Sequence, residues 1–346
     1  MLLPVAEDEF PHLWQRPSYE VLLARLQKLR VEPRVWGLRD SRAEILKDQA
    51  ATAHDKREII SFLSTIISSS LGWLGDDDER EVIWEEASKR MSERCGRTAM
   101  GEITRCWPFS SRDYGAFDLT IREPPLVGDS LGLKTWGSSY ALAQLLQDIA
   151  ARCLTHLFVL GAMSSSHEVL ELGSGTGLLG LAAACTWRTS VVLTDLPEII
   201  PNLAYNVSLN QKVVEDRGGK VEATPLTWGS GREGTAAMFR ELNRYKLIIV
   251  ADPLYDDDHP DLLSAALDEQ LSKCSDARAL IMVPQRDEIT QGLLNTLRDS
   301  LARSQNPLVC LEENVVAGQD DWGDDDNSSE TSNIGFWWGV FGRGRA

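Results

Sequence analysis

Val169-Leu170-Glu171-Leu172-Gly173-Ser174-Gly175-Thr176-Gly177-Leu178-Leu179-Gly180 reads as a buried strand, a glycine-rich turn and the start of a helix. Glycine is needed where backbone takes positive φ or approaches a ligand closely, and three glycines at alternate positions exceed what a plain strand-to-helix turn requires. A nucleotide-like cofactor follows as the first expectation. Gly175, Gly177 and Gly180 also satisfy the dinucleotide pattern G-x-G-x-x-G. Taken alone, the stretch leaves NAD and S-adenosylmethionine both open.

Downstream the pattern alternates strand and helix. Apolar runs at 190–195, 221–226, 246–251 and 279–284 are separated by helical segments at about 198–211, 260–273 and 287–302. Continuous apolar strands between helices indicate a parallel sheet covered on both faces, an α/β doubly wound arrangement. Segments 307–316 and 334–341 should close that sheet, the last strand antiparallel. Between them Gln319 to Glu330 is acidic and rich in Ser and Asn, which predicts an exposed loop.

Upstream, Ile103–Phe109 and Phe117–Glu123 flank the turn-rich Ser110 to Gly115 as a hairpin would. Gly128-Asp-Ser-Leu-Gly-Leu-Lys-Thr-Trp136-Gly-Ser-Ser leads into a helix over about 140–160. Residues 1 to 100 place apolar side chains at three and four spacings in 19–29 and 57–67, and Asp76 to Glu79 suits the start of a third helix. We expect an accessory helical region at 1–100 that takes part in substrate recognition, and a hairpin plus catalytic domain at 101–346.

The 346 residues suffice for a full core, and 43% hydrophobic with 25% charged residues is ordinary for a globular chain. A net charge of -17 opposes binding to a phosphate backbone, so a basic protein or a neutral small molecule is the easier partner. The six cysteines are scattered without metal spacing, and no run of roughly 18 apolar residues occurs. With no charged-then-apolar leader in sight, we expect a cytoplasmic protein with reduced thiols, a monomer with no metal, no membrane association and no nucleic-acid partner.

In a doubly wound sheet, ligands bind beyond the carboxyl ends of the strands where strand order reverses. Each residue of interest sits at such an end. Asp195 follows Gly173 by 22 residues, the distance of a carboxylate that accepts ribose hydroxyls, though it could equally cap the next helix. Gly173, Ser174 and Gly175 would admit a cofactor's amino-acid end. Glu171 either meets an ammonium or holds the turn, and Trp228 offers a flat face for adenine or a packing element for the core. Asp252-Pro253-Leu254-Tyr255 holds an acid on a stiff turn with a ring three residues on. That arrangement suits a reaction in which an amine is held and aimed; the plainer alternative is an exposed Asp and a packed Tyr.

The set Leu-Lys-Thr-Trp136, Glu-Leu-Gly173-Ser-Gly-Thr-Gly177, Leu-Thr-Asp195-Leu-Pro, Leu-Thr-Trp228-Gly, Ala251-Asp-Pro-Leu-Tyr255 and Phe336-Trp-Trp-Gly-Val-Phe341 resembles the seven-β-strand protein-lysine methyltransferases of methyltransferase family 16. The hairpin and the run before Trp136 look like the fungal elongation-factor lysine methyltransferases. The resemblance covers about 100 to 341. It implies a Rossmann-like seven-stranded methyltransferase fold, S-adenosylmethionine as cofactor and a protein substrate such as a translation elongation factor. By position, it implies cofactor contacts at Trp136, Gly173, Ser174, Gly175, Asp195, Trp228 and Ala251, with Asp252 and Tyr255 lining the target-lysine channel. Thr227 departs from the pattern, since many relatives carry an acid there. Gly180, which completed the dinucleotide motif, becomes a helix-packing glycine under this reading.

The chemistry agrees with those residue types. Methyl transfer from a sulfonium needs a neutral amine in line with the methyl carbon. A lysine of pKa about 10.4 is neutral about one time in a thousand near pH 7.4, a cost of roughly 4 kcal/mol. Positioning can offset roughly 7 to 11 kcal/mol of a barrier. The alternatives are methylation of a small molecule or RNA, a binding module without catalysis, and an NAD-dependent oxidoreductase. The last lacks any Tyr-x-x-x-Lys pair.

Overall fold

A computed structural model of the chain describes residues 10–30, 57–95, 101–110, 115–126, 131–158, 169–229, 236–319 and 333–343. The linker at 111–114, Gly128 to Ser130 and the acidic segment 320–330 lie outside the described residues. The chain divides into two compact units, one ending at Ile103 and also taking in Pro125 and Leu126, the other beginning at Thr104.

In the first unit, α1 (Tyr19–Lys28), α2 (57–68) and α3 (Asp77–Ser92) bury Leu22, Leu26, Leu63, Ile66, Ile83 and Ala87 in one core. These residues recur at three and four spacings, so each helix presents one apolar stripe. Asp76 caps α3, its carboxylate accepting the Asp78 N–H at 2.9 Å. The acidic run is thus a helix start.

The second unit opens with a hairpin of β1 (Ile103–Phe109, whose first residue belongs to the first unit) and β2 (Phe117–Glu123), whose alternate residues are buried. Then follow α4 (Gly137–Cys153), the short α5 (Thr155–Phe158), β3 (Val169–Leu172), α6 (Leu178–Trp187), β4 (Ser190–Asp195), α7 (Ile200–Asp216), β5 (Lys220–Pro225), β6 (Leu247–Ala251), α8 (His259–Gln270), β7 (Arg278–Gln285), α9 (Glu288–Arg303), β8 (Leu308–Gln319) and β9 (Asn333–Arg343). The seven-stranded sheet has the order β5-β4-β3-β6-β7-β9-β8. Its first five strands are parallel, and β9 runs antiparallel between β7 and β8. The closing strand is antiparallel, as expected, but it lies inside the sheet.

Side-chain alternation along the strands divides the core. Val169, Val191 and Ile249 join α4, α6 and α7 on one face, while Leu170, Ile248 and Val250 join α8 and α9 on the other. Burial on both faces is why these strands read as continuous apolar runs. From β3 the sheet grows outward through β4 and β5, then resumes on the other side with β6. The crevice therefore opens beyond the carboxyl ends of β3 and β6.

An asparagine ladder fastens the hairpin. On α7, Asn210 accepts the Thr120 N–H at 2.8 Å and donates to the Thr120 carbonyl at 2.7 Å. Asn206 pairs with the Arg122 N–H and carbonyl in the same way, at 2.9 and 3.0 Å, and also donates to the Thr176 carbonyl at 2.9 Å. A side-chain amide carries the same donor and acceptor as a peptide unit, so α7 serves β2 as a neighbouring strand would. Asn206→Ala removes these three bonds, the Arg122 carbonyl keeping the Asn202 amide at 3.3 Å, and is expected to destabilise the protein by about 3 kcal/mol, read as a lowered urea midpoint. An unchanged midpoint would show that the ladder carries no stability.

Candidate active site

The turn after β3 takes left-handed backbone at Gly173 (φ +70°) and Gly175 (φ +55°). A Cβ at Gly173 would lie 3.4 Å from the Trp228 ring, and one at Gly175 would lie 3.2 Å from the Gly132 carbonyl oxygen. Strain and crowding both select glycine. The turn is clipped to β4: Ser174 N–H donates to the Thr194 carbonyl at 2.9 Å, and Ser174 Oγ accepts the Thr194 N–H at 3.0 Å.

Asp195 completes the clip. Its Oδ2 accepts the Gly175 N–H at 2.7 Å and its Oδ1 the Leu196 N–H at 2.8 Å. Burial raises its pKa above the ordinary value, and those two N–H groups oppose the shift. Asp195 does not cap the next helix, because α7 begins at Ile200 and its cap position is Ile199. Gly180 packs as expected: a Cβ there would collide with Leu193 and with Glu171 Oε2.

Glu171 is 2% exposed, and its Oε2 finds no hydrogen-bond partner. Burial pushes its carboxyl from 4.5 up to about 8, a Ser174 hydrogen bond opposing and the Asp195 charge reinforcing. Between those two values the folded protein holds a proton that the unfolded chain has released, so stability falls as pH rises through the window. The slope is at most about 1.4 kcal/mol per pH unit. Thermal midpoints between pH 5 and 8.5 should decline less steeply in Glu171→Gln, and equal slopes would remove the assignment.

β6 delivers the second half of the site. Asp252 follows it with φ +55°, a left-handed conformation that Asp tolerates better than most side chains. Its N–H donates to the Met282 carbonyl of β7 at 2.9 Å. The carboxylate is clasped by Arg286, one residue beyond β7, with Nη1 to Oδ1 at 3.0 Å and Nη2 to Oδ2 at 2.5 Å. Ser138 Oγ donates to Oδ2 at 3.4 Å. Asp252 is 2% exposed and Tyr255 43%, the reverse of the exposed-Asp, packed-Tyr alternative.

Aromatic rings surround the opening. His259 Nδ1 accepts the Tyr255 N–H at 3.0 Å. The His259 ring stands edge-on to Tyr255 at 5.5 Å and to Trp228 at 6.4 Å, while Tyr255 tilts against Trp136 at 6.3 Å. Trp228 is half-buried and Trp136 buried, but both present surface to the cavity instead of serving only the core.

The nine residues expected at the cofactor and acceptor positions line one cavity of about 680 Å³: Trp136, Gly173, Ser174, Gly175, Asp195, Trp228, Ala251, Asp252 and Tyr255. Sequence reasoning missed Lys134, Thr176 and His259, which also line it, and Arg286, which meets it through Asp252. His259 had a readable signal in its spacing of four from Tyr255. Arg286 had none. Among the described residues, no group of three or more His, Cys, Asp or Glu could hold a metal ion. The cavity thus offers exposed turn backbone, acids at the ends of three strands and an aromatic rim. It can hold a polar nucleoside-like molecule while presenting Asp252 to an amine.

Known proteins agree with that geometry. The chain is 32% identical over 278 residues to the protein-lysine N-methyltransferase EFM2 of Saccharomyces cerevisiae, covering 78% of this chain and 63% of that one. It is 27% identical to the protein-lysine N-methyltransferase rrg1 of Schizosaccharomyces pombe, covering 78% and 80%. The mouse protein-lysine methyltransferase METTL21E is 27% identical over 52% of this chain and 64% of its own length. A family model described as Lysine methyltransferase matches residues 116–300. That segment runs from the start of β2 into α9, takes in more than half of the chain and holds every cavity residue described above, so the chain belongs to the lysine methyltransferase family.

Proposed function

We propose that this chain transfers a methyl group from S-adenosylmethionine to the side-chain amine of a protein lysine, and that the acceptor is a translation elongation factor. The observation that carries the reading is the meeting of the glycine turn and the Asp252–Tyr255 turn in one cavity. The elongation-factor part rests on the resemblance of the hairpin and of the run before Trp136 to fungal elongation-factor methyltransferases. The net charge of -17 supports a basic acceptor. A cytoplasmic monomer goes with this reading; fractionation and light scattering check it, and a membrane-bound pool or a stable dimer would contradict it.

The cavity residues fit the cofactor. Glu171 Oε2 is a buried acceptor without a partner, as an ammonium would require. Asp195 retains lone pairs for ribose hydroxyls beyond the two N–H groups it accepts. Gly173, Ser174 and Gly175 would contact the amino-acid end, and Trp228 would contact the adenine. When bound there, S-adenosylmethionine would supply an electrophilic methyl group for the amine lone pair, its sulfur keeping the electron pair of the C–S bond. Asp252 accepts an amine N–H and aims the lone pair. Tyr255 and Trp136 exclude water from the opening, which favours the uncharged amine. The proton that the amine must lose passes to solvent.

Incubating the protein with radiolabelled S-adenosylmethionine and fungal cell extract tests this, with Asp252→Asn alongside. Label should enter a protein band, be recovered as methyllysine and fall sharply in the variant. Label in a lipid or nucleotide fraction, or label indifferent to the substitution, would overturn the reading. Identification of the band decides the elongation-factor part.

A further inference from the structure

Asp252 comes to the cavity already paired. Arg286 clasps it through both oxygens, and the two side chains are 2% and 12% exposed. The guanidinium carbon lies 5.1 Å from the centre of the Trp136 ring, so the same cation rests on the aromatic rim. The strand register produces this encounter: Ala251 pairs with Met282, which brings the residues just past β6 and β7 to adjacent points of the crevice. A fork-to-carboxylate pair uses one lone pair on each oxygen, and Ser138 Oγ donates to a second on Oδ2, so the remaining acceptor capacity lies on Oδ1. Asp252 can therefore still receive an amine N–H.

The pairing resolves a conflict in the chemistry. An unpaired carboxylate within about 4–6 Å of an amine favours the ammonium, by about 1–3 pKa units. An ammonium has no lone pair and cannot attack a methyl carbon. Thus a lone Asp252 would aim the lysine well and at the same time hold it in the unreactive form. We propose that Arg286 is a positioning residue that cancels the charge of Asp252 while leaving its acceptor atoms in place, so that the site orients the target amine without holding it as an ammonium. This inference rests on the methyltransferase reading above.

Lys134 ahead of α4, Glu171 in β3, Asp195 and Glu198 beyond β4, and Asp256 and His259 beyond β6 also line the cavity. All six are unchanged in the variants that follow, so a difference between variants reports the Asp252–Arg286 pair. The probe is sinefungin, which carries a C–NH2 group where the cofactor has its sulfonium methyl. S-adenosylhomocysteine, which lacks that group, serves as the reference. Calorimetry gives the ratio of their affinities in the full chain and in Arg286→Gln, Arg286→Lys, Asp252→Asn and the Asp252→Asn/Arg286→Gln double variant.

Relative to the full chain, the preference for sinefungin should rise about tenfold in Arg286→Gln, where the carboxylate is uncompensated, and fall about tenfold in Asp252→Asn, where the guanidinium is. It should return to the starting ratio in the double variant and stay near it in Arg286→Lys, which keeps the charge. A merely structural role would not move the ratio in opposite directions. Equal ratios throughout would overturn the proposal. If Arg286→Gln does not fold, the double variant against Asp252→Asn asks the same question, and the ratio must rise when Arg286 is removed. Absence of S-adenosylhomocysteine binding in the unmodified chain would refute the proposed function and this inference with it. Binding with an unmoved ratio would refute the inference alone.

Discussion

Asp252→Asn is expected to lower methyl transfer to protein lysine by about 10²-fold or more at saturating cofactor, with affinity for S-adenosylhomocysteine within a few-fold of the unmodified chain. Asparagine keeps the size of the side chain and tolerates the φ of +55° found at this position. It loses one acceptor oxygen and one arm of the Arg286 clasp, so the amine is no longer held at a fixed angle, and displacement by about 1 Å can cost ~10²-fold. Alanine is a harsher change for a different reason. It strands a guanidinium that is 12% exposed, a loss of about 3–5 kcal/mol when a buried pair is broken from one side. It also puts a Cβ without a polar group into left-handed backbone, for about 1 kcal/mol or more. Asp252→Asn also removes the countercharge of Arg286, but it keeps a hydrogen-bond acceptor for the guanidinium and suits the left-handed backbone, so it disturbs folding less than Asp252→Ala and reports the chemistry more directly. Single-turnover transfer at the unmodified rate in the Asn variant would remove Asp252 from its role.

Asp195→Ala should weaken cofactor binding about 10²-fold while sparing the chemical step. Hydrogen bonds to a charged group contribute about 1.5–3 kcal/mol each, so loss of two ribose contacts amounts to about 3 kcal/mol or more. The variant also frees the Gly175 N–H, now bonded to Oδ2 at 2.7 Å, and loosens the turn that faces the ligand. Calorimetry with S-adenosylhomocysteine measures the affinity, and rates at rising S-adenosylmethionine measure recovery. Asp195→Ala should recover most of its rate at high cofactor, and Asp252→Asn should not. An Asp195→Ala variant with unchanged affinity would exclude the ribose contact. If the two variants behaved alike, the division of the cavity into a cofactor half and an acceptor half would fail.

The parts legible in the sequence are those whose physics is local. Ile248 to Val250 and Leu280 to Val283 announce buried strands because both faces are covered, so no polar residue interrupts them. The glycine turn is legible because Gly173 and Gly175 answer a backbone requirement that other residues meet poorly. Asp195 was placed at the crevice, but whether it also caps a helix turned on where α7 begins, and four residues of intervening loop exclude the cap. Other features depend on partners far along the chain. Nothing in Gln285-Arg286-Asp287 marks the arginine as a companion of Asp252, because the pair exists only through the β6–β7 register. The insertion of β9 between β7 and β8 is likewise invisible, since alternation tells which face a residue takes and not which strand lies beside it. Asn202, Asn206 and Asn210 did leave a trace: three amides at intervals of four form a polar stripe on a helix whose stripe is buried.

That stripe has a further bearing on the glycine turn. Asn206 joins the Thr176 carbonyl to the edge of β2, Ser174 ties the turn to Thr194, and Asp195 holds the Gly175 N–H. A loop left loose would have to surrender its conformational entropy at the moment of binding, at about 1–2 kcal/mol for each residue ordered. Here the amides of a helix and the carboxylate of a strand order it during folding, so a ligand meets a preorganised turn and more of its contact energy remains as affinity.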